Sequence, residues 1–96
     1  MILDREQIIS FLLKEGLSQE EALWTFQIIQ KHLISFLQNN QKSTKNFHRE
    51  PRSKGKIFRV RITKKIRICL ILVENKLQIF EYDPQHKTSN CTDLLK

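Results

Sequence analysis

Glycine and proline are scarce, with two of each in 96 residues. That scarcity excludes a glycine-rich phosphate loop, a collagen-like repeat and a proline-rich filament. Cysteine is as rare. Cys69 and Cys91 make neither a disulfide framework nor a zinc set, and Cys69 reads as a small buried hydrophobe. His32, His48 and His86 share no short ligand spacing, so no metal and no cofactor is expected. No apolar run approaches the roughly 20 residues that span a bilayer. The start, Met1-Ile2-Leu3-Asp4-Arg5-Glu6, has no basic segment leading into an apolar one with a cleavage site. The expectation is a cytoplasmic single domain over residues 1–96 with no membrane association.

What is present is positive charge, and it is localised. Residues 1–40 carry three basic and five acidic side chains, and residues 68–96 three and four. Residues 41–67 carry eleven basic side chains against Glu50 alone, so the whole excess behind the net +7 lies in that segment. Positive charge gathered in this way meets phosphate, of RNA or DNA. The bland reading is a solvated basic tail. Against it, the charge runs on into strand-like sequence.

Two helices are expected first. Asp4 caps the first, with Gln7 placed to reach back, and Ile8, Ile9, Leu12 and Leu13 form its stripe. Gly16 is the left-handed stop, with Leu17 packing after it. Ser18 and Glu21 form a capping box for a long second helix striped by Ala22, Phe26, Ile29, Leu33, Phe36 and Leu37. Trp24 and Ile28 lie on a further face, which predicts cover on more than one side of that helix. Residues 4–39 thus read as an antiparallel helical hairpin and 40–56 as a basic loop.

From residue 57 the period changes to two. Phe58, Val60 and Ile62 alternate with Arg59, Arg61 and Thr63, the pattern of a half-exposed strand. Ile66–Val73 reads as a central strand, Glu74-Asn75-Lys76 as a turn, and Leu77–Tyr82 as a third strand. Residues 57–82 form the meander and 88–96 a tail. The fold class expected is α+β: a helical hairpin on a three- to four-stranded antiparallel sheet. Phe26, Leu33, Phe58, Val60, Ile68 and Leu70 should share its core.

Alternation places Arg59 and Arg61 on one face about 7 Å apart. Arg67 follows on the next strand, though it shares parity with Cys69, Ile71 and Val73, so that face is not wholly polar. Three guanidinium groups suit a phosphate dianion, because each planar fork pairs two oxygens. His86, beyond the third strand, is the group that titrates near neutrality and can move a proton. Lys45, Arg49, Arg52, Lys54, Lys56, Lys64 and Lys65 are the surrounding backbone-binding candidates. A helix-turn-helix reading fits poorly, since the second helix is long and apolar within an acidic segment.

The runs Lys54-Gly55-Lys56-Ile57-Phe58-Arg59-Val60-Arg61-Ile62, Lys65-Ile66-Arg67-Ile68-Cys69-Leu70 and Glu81-Tyr82-Asp83-Pro84-Gln85-His86 carry a resemblance. From Ser53 to Lys87 the chain resembles the second half of the RelE/HigB superfamily of bacterial toxins. That family opens with a β-strand, for which this chain offers only Met1-Ile2-Leu3 before the first helix. The resemblance implies a metal-independent endoribonuclease that cuts messenger RNA, usually on the ribosome, and is neutralised by an antitoxin protein. By position it implies phosphate stabilisation by Arg59, Arg61 and Arg67, and acid–base work by His86 or Tyr82. The alternative is a nucleic-acid-binding module without catalysis, using the same basic loop and strand face.

Overall fold

The computed structural model describes residues 1–85 and Cys91. His86 and the expected tail, Cys91 apart, lie outside the described residues. The fold is α+β: β1 (Ile2–Leu3), α1 (Arg5–Lys14), α2 (Gln19–Gln38), β2 (Phe47–Arg49), β3 (Ile57–Arg61), β4 (Arg67–Val73) and β5 (Lys76–Asp83). The sheet has five strands in the order β1-β5-β4-β3-β2. It is mixed, because β1 pairs parallel with β5 while the other neighbours are antiparallel. The expectation of three to four antiparallel strands is therefore corrected at both edges. β1 has two residues and β2 three, too few to display a period. β2 also lies inside the segment expected to be loop.

The helix boundaries follow their capping residues. Asp4 Oδ1 accepts from the Gln7 N–H, but the Gln7 side chain does not reach back. Its amide instead bonds both backbone groups of Ile79, at 2.7 and 2.8 Å. Gly16 stops α1 at φ +99°, where a side chain would be strained, and the Leu17 N–H returns to the Leu12 carbonyl. Ser18 and Glu21 close the capping box in both directions. Those bonds hold the Glu21 carboxyl below its usual range.

Both helices cover one face of the sheet. Ile8, Leu12, Phe26, Ile29, Leu33 and Phe36 are buried against Phe47, Phe58, Val60, Ile68, Leu70, Leu77 and Ile79. Phe36, Phe47 and Phe58 stack with ring centroids 4.8 to 5.7 Å apart. All six expected core residues are in this cluster. Trp24 is not covered, however: half of its surface is open, and Leu37 is also exposed.

Alternation along β5 breaks once. Cys69 stands opposite Glu81 and Leu70 opposite Ile79, so Phe80 is a bulged residue with no partner. The bulge turns Phe80 and Glu81 both to the side away from the helices and returns Tyr82 to the helix side. On the helix-free side Phe80 joins a second cluster with Ile57, Cys69, Ile71 and Cys91. Here Cys69 is buried, as expected, but as half of a disulfide to Cys91. The separation of 22 residues carries no pairing signal in the sequence; the fold brings the two Cα atoms to 5.8 Å.

β2 is an edge strand that closes its own edge. Its bonds to β3 run through Asn46, His48 and Glu50, so the backbone groups of Phe47 and Arg49 point outward. The Thr44 hydroxyl and backbone N–H satisfy Phe47, and the Ser43 hydroxyl accepts from the Arg49 N–H.

Candidate nucleic-acid interface

The helix-free face of the sheet carries the arginines in two cross-strand rows. One runs His48–Arg59–Cys69–Glu81 and the other Arg61–Arg67–Asp83. Arg61 and Arg67 stand directly opposite each other in the β3–β4 ladder. Like charges in that position oppose folding. The Arg67 guanidinium is fixed by its own turn, since one Nη donates to the carbonyls of Thr63 at 2.5 Å and Ile66 at 3.2 Å. Partial burial lowers its pKa, and the charges of Arg61 and then Arg59 lower it further, against a smaller opposing effect from Asp83. The Arg61 side chain has no ion pair or hydrogen bond among the described residues, and it is half-buried. One guanidinium is thus preset, and a second faces it with its donors available.

Arg59 differs from these two. Its Nε lies 3.3 Å from Oε1 of Glu50, whose side chain is 2% exposed. Glu50 was visible in the sequence only as the single acid within the basic segment. Its position beside Pro51, at the end of β2, is what places it under Arg59. Arg49 is also set apart: it stands opposite Phe58 on the helix side, and its guanidinium lies 5.5 and 5.6 Å from the Phe36 and Phe58 ring centres. Alternation in the unforeseen β2 turns Arg49 to the helix side, away from the face that carries Arg59 and Arg61.

The lysines gather at the two ends of β3. Lys64 and Lys65 are exposed in the turn between β3 and β4, where Thr63 Oγ1 accepts from the Lys65 and Ile66 N–H groups. Lys45 is exposed at the same end, beside Asn46, whose carbonyl accepts from the Arg61 N–H. Arg52, Lys54 and Lys56 are exposed at the other end, where Arg52 and Lys54 take positive φ and Ser53 bonds Glu50 and Ile57. The five residues of β3 separate the two groups by about 17 Å.

Tyr82 does not join the arginines, because the bulge places it on the helix side. There burial raises the pKa of its hydroxyl, and the charges of Glu21 and Glu15 raise it further. His86 lies outside the described residues. On α2, burial followed by the charge of Lys31 holds the His32 pKa below 6.5, against a smaller opposing effect from the Arg61 backbone. No group of three metal-ligating side chains occurs among the described residues, and none of their helices is long and apolar enough to cross a membrane. Comparison with protein-family models, curated proteins and solved structures yields no match.

Proposed function

We propose that this chain binds the phosphate backbone of RNA or DNA across the helix-free face of its sheet. The observation that carries this reading is the Arg61–Arg67 pair. A cross-strand like-charge pair works against the fold, and a bound anion relieves it. Arg61 and Arg67 hold a phosphate between their forks, while Lys45, Lys64 and Lys65 on one side and Arg52, Lys54 and Lys56 on the other extend the track. Contacts of this kind fix affinity without reading sequence. The test is fluorescence anisotropy with labelled single-stranded RNA across a salt series. Each phosphate contact contributes about 0.7 to the log–log slope. Arg61→Ala with Arg67→Ala should lower the slope by about 0.7, for the one phosphate they share, and weaken every sequence alike. Affinity that ignores salt would remove the proposal.

A second reading is a RelE/HigB-like toxin that cleaves messenger RNA on the ribosome, in the cytoplasm, and is held by an antitoxin. One observation favours it: Ile2–Leu3 forms a strand ahead of the helices, as that family order requires. In that reading Arg61 and Arg67 stabilise the pentavalent phosphorus and His86 carries the proton. Cleavage that His86→Ala reduces about 10²–10⁴-fold, with RNA affinity unchanged, would establish it. RNA left intact with and without ribosomes would leave binding alone.

A further inference from the structure

Between Ala22 and Gln38, Lys31 is the only charged residue of α2. The inward stripe of this helix is spent on the core, yet Leu23, Ile34 and Leu37 remain 39%, 48% and 39% exposed. With Gln27 and Gln30 they follow a four-three-four-three spacing, the repeat by which one helix packs along another. We propose that two copies of this chain pair antiparallel through this uncharged flank of α2, with Gln30 on the two-fold axis.

Three features select a second copy as the occupant. The first is electrostatic: each copy carries net +7, all of its excess in residues 41–67, so copies repel unless they meet elsewhere. The helix layer, drawn from a segment with more acid than base, is where they can approach. The second is symmetry. Leu23 and Leu37 lie seven residues either side of Gln30, so antiparallel pairing sets Leu23 of each copy against Leu37 of the other, with the two Gln30 amides together. The third is a receiving groove. Beside Leu23 a groove between the helices is lined by Ile9 and Leu13, with Glu6, Glu20 and Arg5 at its edges, two carboxylates against one guanidinium. It receives the second copy's Leu37, and the Lys42 that follows the end of that helix approaches the two carboxylates.

The size of the contact sets its strength. A 20-residue helix is about 30 Å long and about 10 Å across, so the strip offers roughly 300 Å² before the groove is added. Standard interfaces bury about 800 Å² per partner. The dimer is therefore concentration-dependent.

Sedimentation velocity from about 1 to about 500 µM should show the mass rising from 11.5 kDa towards twice that value. Ile34→Glu with Leu37→Glu should raise the dissociation constant roughly 30-fold or more. The same variant should keep the wild-type melting curve, because both side chains are exposed. Gln30→Cys should cross-link two chains under mild oxidation. A wild type that stays monomeric throughout, a double variant that still pairs, or a dimer that Gln30→Cys fails to cross-link would each overturn the proposal.

Discussion

The side chain of Gln7 continues the sheet where the backbone leaves it. β1 pairs with β5 only as far as Leu3 and Leu77, after which the chain turns into α1. One helical turn later, the Gln7 amide donates to the Ile79 carbonyl and accepts from its N–H, as a neighbouring strand would. Gln7→Leu should cost about 2–4 kcal/mol in urea unfolding, since two part-buried backbone groups lose their partners. Gln78→Ala, which releases a single bond to Asp4, should cost less.

Arg59 and Arg61 should separate in stability measurements. Arg59→Ala leaves Glu50 buried without its ion pair, at a cost of roughly 3 kcal/mol, the low end for a buried pair because Arg59 is partly exposed. Adding Glu50→Gln should recover much of that loss. Arg61→Ala removes a like-charge neighbour of Arg67 and should leave the melting temperature unchanged or slightly raised. A large loss with Arg61→Ala would mean that the arginine pair supports the fold.

Reduction of the Cys69–Cys91 disulfide should destabilise the domain by about 3 kcal/mol, the chain-entropy contribution of closing a loop of this length. Denaturation curves with and without a dithiol reductant measure it. Cys91→Ser should reproduce the reduced curve and be insensitive to reductant.

Acid should weaken the fold through His32. Burial, then Lys31, lowers its folded pKa below the unfolded 6.5, so the unfolded chain binds the proton more readily. The stability linked to this group is complete above pH 6.5 and is lost as pH falls from there towards the folded value. Melting temperatures at pH 7.5 and 5.5 should differ for the wild type and draw together in His32→Gln. An unchanged difference would place the acid sensitivity elsewhere.

The helix caps, the core and the arginine face were legible because each rests on a local period or a capping pair. Ser18 with Glu21 and Phe58 with Val60 announce their structure within four residues. β1, β2 and the disulfide were not legible, since each depends on partners far along the chain: Ile2 on Lys76, Phe47 on Val60, Cys69 on Cys91. The site suffered for the same reason. Without β2 there was no means to see Arg49 turn towards Phe36 or Glu50 settle beneath Arg59. Without the bulge at Phe80, the side taken by Tyr82 could not be assigned.

The hydroxyls of Ser43 and Thr44 have a bearing on the protein's behaviour at high concentration. An uncovered edge strand is a template on which other chains add and from which fibrils grow. Because both outward groups of Phe47 and the N–H of Arg49 are already bonded to the segment just before them, that template is largely withdrawn at the β2 edge. Removing both hydroxyls would leave the fold's interior intact and expose its margin, so the harm would appear first as slow aggregation on storage, ahead of any fall in melting temperature.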